Sequence, residues 1–378
     1  MHKDASAILI ITTILIIVGI FVNYSVEGIE KNLQQFLTKQ IIILLIGFVA
    51  FLFMLFYDYH SLLKPLFLSV FSAVCIILLI LVLVVGDKSH GAKRWILLPM
   101  NFTFQPSEIT KFLVILSITC YLSECYSKLK KVLFGLFLPL IISGFYAGLI
   151  FLENDQGIPT VIMVTVLCMM FVAGIRIRQM IVSATALSVV FGIAIFMKPH
   201  RIYRIIYTWF PEWDPSGKGW HIIQSLVSFY RGGLFGVGIG AGEQKLNYLP
   251  EANKDFPFSL ITEEMGMLTA LLLVLLFFLF IYYGFEIARK APDIEGSLLA
   301  VGVTCMVGIQ AIVMIFVNMG LLPIKGMCLP LVSSGGSSFL ATMMMIGSLV
   351  NIGIQEERKE PAFAKKIPIF LPTANIFQ

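Results

Sequence analysis

A chain of 378 residues that is 58% hydrophobic and only 13% charged carries roughly half the charge of a soluble domain. So much apolar surface cannot be hidden in one water-soluble core of this length, so lipid is expected to be its solvent. The net charge of +5 is modest, and no basic-aromatic stripe of the kind single-strand binders use is present, which argues against a nucleic-acid partner.

Taken in chain order, apolar stretches long enough to cross a bilayer, about 17–25 residues each, fall near 7–25, 40–57, 65–86, 106–122, 132–152, 157–175, 179–197, 265–285, 296–318 and 336–354. Backbone groups in hydrocarbon must pair internally, and the alternation of barrel strands is missing, so these stretches read as helices. The first lacks a small-residue cleavage site and is read as a span, not a signal peptide. The expected architecture is an all-α integral membrane protein of about ten transmembrane helices in a single domain over 1–378. In the short segments thirteen Lys and Arg fall on the side of the N-terminus and six on the other, which places both termini in the cytoplasm. Residues 198–264 then form a long extracytoplasmic loop between helices 7 and 8, and 355–378 a cytoplasmic tail. The cysteines show no paired spacing and the histidines are scattered, so no metal cage is assigned.

Four segments offer chemistry. In QPSEITKF (105–112), Pro106 suits a first helical turn, and Glu108 and Lys111 share a face three residues apart. Ionisable groups at membrane depth cost about 2.5–3.5 kcal/mol each, and this pair reads equally as an anchor or as part of a site. Within the long loop, Ile222, Ile223, Leu226, Val227 and Tyr230 predict a short amphipathic helix at the membrane surface. The glycines from Gly232 to Gly242 follow, where backbone can approach a ligand; with no preceding strand, they carry no nucleotide signature. His200, Arg201, Arg204, Lys218, Arg231 and Lys245 form a cationic set that suits an anionic headgroup or a solvated face.

LPEANKDFPFSLITEEMG (249–266) brings Glu251, Asp255, Glu263 and Glu264 close in sequence. Partial burial would make Asp255 a base, whereas acidic residues opening a helix are the plainer reading. Last, LLPIKGMCLPLVSSGGSSF (321–339) breaks the apolar pattern with Pro323, Pro330, Gly335 and Gly336, as backbone lining a cavity does. It contains no SxxK lysine, so no transpeptidase motif is present.

Together, GAKRW with FTFQPSEITKF, DPSGKGWHIIQS through RGGLFGVGIGAGEQKLNYLPEANKDF, and LPIKGMCLPLVSSGGSSF resemble the SEDS family of RodA, FtsW and SpoVE proteins over nearly the whole chain. The resemblance implies a ten-helix bacterial inner (cytoplasmic) membrane protein that polymerises lipid II into glycan strands, an inverting peptidoglycan glycosyltransferase. QKLNYLPE and LPIKG look more like the division member, FtsW, than like RodA. By the same resemblance Asp255 takes the place of the essential acid and proposed general base, and Glu108 and Lys111 match a pair in the fourth helix. Lys245, Glu251 and Ser337 lie in matched motifs, and Arg201 and Arg204, with Lys111, are candidates to meet the pyrophosphate charge. The implied cofactor is a divalent cation, Mg or Mn. The implied partners are a class B penicillin-binding transpeptidase and other cell-division proteins. Departures occur at ENDQG (153–157), where EPDxG is usual, at Phe229-Tyr230-Arg231, at Ser334 and at Pro257. Rival readings are a lipid-linked precursor flippase, an elongation-type polymerase and a non-enzymatic scaffold.

Overall fold

A computed structural model describes residues 3–28, 33–89, 92–98, 102–196, 199–217, 219–245, 249 and 252–355. Helix α1 (Lys3–Asn23) is followed by α2 (Leu33–Phe56), a short α3 (Tyr59–Leu62) and α4 (Pro65–Val85). Three short strands come next, β1 (Asp87–Ser89), β2 (Ala92–Leu98) and β3 (Phe102–Phe104), paired antiparallel in that order. Then come α5 (Pro106–Glu124), α6 (Leu138–Leu152), α7 (Gly157–Val172) and α8 (Ile177–Phe196). The long loop holds α9 (Pro199–Trp209), α10 (Trp220–Gly232) and α11 (Ala252–Asp255), and α12 (Pro257–Lys290), α13 (Ile294–Asn318) and α14 (Gly336–Gln355) close the chain.

Each of the ten predicted apolar stretches coincides with a helix, and among the described residues seven helices are long and apolar enough to cross a membrane on those grounds alone. Helix α5 falls short because Ser107, Glu108, Thr110, Lys111 and Thr119 interrupt its apolar run. Those side chains are all buried, because α4, α6, α7, α13 and α14 surround α5 and shield it from lipid. Helix α13 is buried along most of its length, while α2 and α4 expose most of theirs. Their outward Leu45, Phe48, Val70 and Ile77 are the surface that lipid must solvate. A wholly apolar cavity of about 520 Å³ opens between α7, α8, α12 and α13, lined by residues such as Leu167, Phe171, Met180 and Phe285.

Much of the long loop is helical. Helix α10 covers the predicted amphipathic stretch, but it packs on α12 through Ser225, Ser228 and Gly232, and Tyr230 is 90% exposed. Of the predicted apolar face Ile222 is buried, while Leu226 and Tyr230 point outward, as suits a helix lying at a membrane surface. The eighth helix also starts earlier than its apolar run, at Pro257, and the small sheet at 87–104 was not foreseen.

At the end of the bundle away from the sheet, His60 joins three elements. Its Nδ1 lies 2.9 Å from Asp58 Oδ1 and its Nε2 lies 3.0 Å from Asp293 Oδ2. The Tyr59 hydroxyl donates to the same Asp293 oxygen at 2.7 Å, and the other Asp293 oxygen caps α13 by accepting from Gly296 N–H. Burial disfavours a charged imidazole here, but the hydrogen bond with Asp58 and the Asp293 charge outweigh it and raise the His60 pKa above 6.5. A raised folded pKa gives stabilisation that is complete below the unfolded value and lost as pH rises through the folded one. The His60→Ala variant is therefore expected to lower Tm more at about pH 6 than at about pH 9. Thermal unfolding in detergent at both values measures this, and equal losses would show that the ring acts only as a neutral link.

Candidate active site

The site end of the bundle is built around a break in α12. Gly266 has φ 83° and ψ 170° inside this helix, which removes the regular partners of nearby backbone groups. The glycine-rich loop supplies replacements: Val237 N–H donates to Glu263 C=O at 2.9 Å, and Gly238 N–H to Glu264 C=O at 3.0 Å. In return Met267 N–H donates to Gly233 C=O at 3.0 Å. At Gly236, φ is +82° and a Cβ would meet Glu264 O at 2.3 Å, so the chain needs glycine there twice over. The glycines thus bring backbone against the protein's own helix.

Glu263 and Glu264 belong to this join. Glu263 Oε1 accepts from Glu243 N–H at 3.1 Å, and Glu264 Oε2 accepts from Gly240 N–H at 3.1 Å. Lys245 is buried with its Nζ 2.8 Å from Glu264 Oε1 and 2.7 Å from Ser25 Oγ. Arg231 pairs with Glu243. Two members of the cationic set are thereby spent inside the loop, while Lys218, the His200 side chain and Glu251 lie outside the described residues.

A second framework runs through the bundle interior. Lys111 is 0% exposed and Glu108 2%, with Nζ 2.7 Å from Glu108 Oε2. Lys111 Nζ also donates to Gln310 Oε1 at 2.6 Å, and Gln310 Nε2 donates to Cys328 C=O at 2.7 Å. The chain of contacts ends on the strap of residues 319–335 between α13 and α14. That strap also reaches α11: Ser333 Oγ donates to Lys254 C=O at 2.8 Å and Ser334 N–H to Asn253 C=O at 3.0 Å. Asn318 Nδ2 donates to the Asp255 carbonyl at 3.0 Å. Ser337, at the start of α14, accepts from Gln105 N–H at 2.9 Å, so it fixes the entry to α5.

Beside the strap lies a cavity of about 100 Å³, lined by residues that include Phe151, Gln156, Thr160, Arg201, Arg204 and Lys325. Arg201 is 4% exposed and its guanidinium sits 4.6 Å from the centre of the Phe151 ring, a cation–π contact. Arg204 lies within the field of Asp255, which is half-buried at the end of α11. Burial disfavours the charged form of Lys325, and Asp155 opposes it. Asp155 opens α7: its Oδ1 accepts from Gly157 N–H at 2.8 Å and Ile158 N–H at 3.3 Å, and Arg94 lies 3.7 Å from its Oδ2. Asn154, in the departing ENDQG segment, has φ 62°, a left-handed conformation that asparagine tolerates and proline does not. Beside it Glu153 is 1% exposed with both carboxylate oxygens lacking a hydrogen bond among the described residues. Burial, and then the Asp155 charge, push its carboxyl up to about 9 against the opposing Arg94, so it is neutral at pH 7.

Of the expected residues, Arg201 and Arg204 line this cavity, and the charge of Asp255 reaches Arg204. Lys111 and Glu108 brace the strap through Gln310, Ser337 fixes the entry to α5, and Lys245 ties the glycine-rich loop to α12 through Glu264. Sequence reasoning missed Lys325, Gln156, Thr160 and Gln310; the lone lysine in LLPIKG was the available signal.

Residues 5–358 match the family model FTSW_RODA_SPOVE, described as cell cycle protein. A probable peptidoglycan glycosyltransferase FtsW of Geobacter sp. (strain M18) is 35% identical over 91% of this chain and 95% of that protein. Stage V sporulation protein E of Bacillus subtilis (strain 168) is 36% identical over 91% of this chain and 95% of that protein. Among solved structures, a peptidoglycan synthase complex described as coordinating polymerization and crosslinking aligns with a TM-score of 0.74 at 25% identity, over 93% of this chain and 98% of that one. Rod shape determining protein RodA of Thermus thermophilus shares the fold, with a TM-score of 0.66 at 23% identity over 92% of this chain and 96% of that one.

The buried pair yields a stability prediction. Removing one charge of a buried pair leaves the other uncompensated, at about 3–5 kcal/mol. Lys111→Met is expected to lose that much in denaturant or thermal unfolding. The double variant Glu108→Gln with Lys111→Met should recover part of it, and additive losses would show that the two charges do not stabilise each other.

Proposed function

The chain belongs to the FtsW, RodA and SpoVE family of cell cycle proteins, and we propose that it is a peptidoglycan glycosyltransferase that polymerises lipid II, with Asp255 as general base. The observation that carries this reading is a half-buried carboxylate beside a small cavity that presents Arg201, Arg204 and Lys325. A polymerase that displaces a diphosphate with inversion needs one base, unlike retaining hydrolases with their two closely spaced carboxylates. The Asp255 carboxylate takes the proton of the acceptor sugar's 4-hydroxyl as that oxygen attacks the donor's anomeric carbon. The bond from that carbon to the diphosphate breaks, and the prenyl diphosphate leaves with the electron pair. Arg201 and Arg204 meet the charge it gains, a stabilisation worth more in a site that excludes water.

The donor set does not fit a resident Mg or Mn ion. Among the described residues no group of three His, Cys, Asp or Glu is placed to hold a metal, and three of the cavity's side chains are cations. Asp155 is already held by two backbone N–H groups and approached by Arg94 and, at 3.5 Å, by Gln105.

The lysine and arginine distribution supports cytoplasmic termini and an outward-facing cavity, and similarity to the bacterial FtsW and SpoVE proteins supports a place in the bacterial inner membrane. Similarity to the FtsW proteins supports a role in cell division. Similarity to a synthase complex that couples polymerization to crosslinking supports a class B transpeptidase as partner.

Losing a general base typically costs about 10²–10⁴-fold. Asp255→Asn is expected to lose that much lipid II polymerisation, read as glycan length on a gel, while its unfolding temperature stays close to the parent's. Wild-type rates from a well-folded Asp255→Asn protein would remove Asp255 from the chemistry. A flippase would instead move headgroups across vesicles without making sugar linkages.

A further inference from the structure

Two connecting segments meet at the end of the bundle away from the sheet. The one between α5 and α6 carries Lys128, Lys130 and Lys131, and the one between α7 and α8 carries Arg176, with Arg178 in the first turn of α8. Gln179 is buried, and its Nε2 donates to the Lys130 carbonyl at 3.2 Å. A Cβ at Gly135 would meet Leu129 O at 2.0 Å and Gln179 Oε1 at 3.0 Å, so the two segments lie in direct contact. These lysines and arginines are exposed, and among the described residues none of them forms an ion pair. Lys128 lies over the Phe134 ring, at 5.5 Å from its centre. Glu124, at the end of α5, is the one acid beside them in sequence, and the excess of positive charge stands.

The apolar cavity of about 520 Å³ begins at the same turn. Phe171 and Val172 line it from the end of α7, and Met180, next to Gln179, lines it from the start of α8. Along α7 it reaches back to Val164, about 12 Å of helix, against a hydrocarbon depth of about 15 Å for one leaflet. Phe285 of α12 and Cys305 of α13 form the far side. Helix α8 packs on α7 and α9, and the cavity separates it from α12 and α13. An unfilled gap of this kind forfeits dispersion contacts, and a wholly apolar lining gives water no partners. A hydrocarbon chain meets both conditions.

We propose that this is a binding site for an anionic phospholipid of the cytoplasmic leaflet, with one acyl chain in the cavity and the phosphodiester headgroup on Arg176, Arg178, Lys130 and Lys131. Exposed Leu133, Phe137, Ile177 and Ile181 flank the cations, which suits the depth where headgroups meet hydrocarbon. Charge selects the class of lipid: a zwitterionic headgroup brings no net charge to cations that lack an acidic partner, and an anionic one does. The leaflet rests on the lysine and arginine distribution read above.

The test uses the full chain in detergent and reads binding by native mass spectrometry, with phosphatidylglycerol and phosphatidylcholine of the same acyl chains as probes. The parent is expected to bind phosphatidylglycerol saturably, and at least about 10-fold more tightly than phosphatidylcholine. Arg176→Gln with Arg178→Gln is expected to weaken phosphatidylglycerol about 30-fold, at about 5-fold for each basic residue, and phosphatidylcholine little. Leu167→Trp, which fills the cavity from α7, is expected to weaken both lipids alike, by about 4-fold for each methylene it excludes. Equal affinity of the parent for the two lipids, or an arginine variant that binds as the parent does, overturns the headgroup assignment. Unchanged binding by Leu167→Trp overturns the acyl-chain assignment, and if that variant does not fold, Val164→Phe is read in the same way. Undecaprenyl phosphate that displaces phosphatidylglycerol when present in much smaller amount overturns the phospholipid reading in favour of a prenyl carrier. Asp255 lies at the other end of the bundle, so these measurements stand whatever becomes of the proposed chemistry.

Discussion

An ammonium group placed among helices, out of reach of water, has to be matched by an anion and by hydrogen bonds on every side. Lys111 meets that demand with Glu108 one turn earlier and with Gln310 on α13. The consequence extends beyond local neutrality. Gln310 spends its oxygen on Lys111, so its amide nitrogen is free to donate, and it does so to the carbonyl of Cys328 on the strap. A non-helical segment in a helical bundle needs such donors and acceptors, because its own backbone does not satisfy them. The ion pair in the fourth long helix thus helps hold an irregular strap in place far along the sequence, and the cavity depends on that strap.

The break in α12 follows the same physics with backbone in the leading part. Breaking α12 at Gly266 exposes carbonyl groups, and the glycine-rich loop donates to them while Glu263 and Glu264 accept from the loop. Lys245 and Ser25 then close on Glu264. The two halves meet at α11, which stands between the loop and the start of α12 and carries Asp255. A carboxylate on a four-residue helix has little rigidity of its own. It gains it from Asn318, Ser333 and Ser334, each of which bonds to α11 backbone.

Much of this was legible in the sequence, for a physical reason that also explains what was not. Lipid imposes long apolar runs, so the spans could be read from composition, and Glu108 with Lys111 stood out because charge is rare there. The residues by which α10 packs on α12 could not be read, because hydrophobic periodicity marks the face that avoids water and Ser225, Ser228 and Gly232 carry no apolar signal. The strands at 87–104 are too short to show alternation above the surrounding noise. Glu263 and Glu264 looked like ordinary helix-opening acids; only contact with a distant loop makes them joints. The cavity draws on α6, α7, α8, α9 and the strap, so no local pattern announces it, and Asp255 was singled out by family resemblance where spacing alone favoured a plainer role.

Cations gathered around a cavity are a stability cost that a purely structural protein has no reason to keep. In the braces of this fold charges are matched closely, at 2.7 Å for Lys111 and 2.8 Å for Lys245, so the sequence is able to pair lysines where pairing is all that is required. At the cavity it does otherwise. Arg201 rests on an aromatic face, Arg204 shares the field of Asp255, and burial disfavours the charge of Lys325 against the opposing field of Asp155. The contrast within one chain, between lysines held in close ion pairs and cations gathered at a cavity, sets the scaffold apart from the proposed site. Under the proposed function it also orders the roles: carboxylates matched to lysines brace the bundle, and the half-buried carboxylate of Asp255, beside the Arg204 guanidinium, takes the proton.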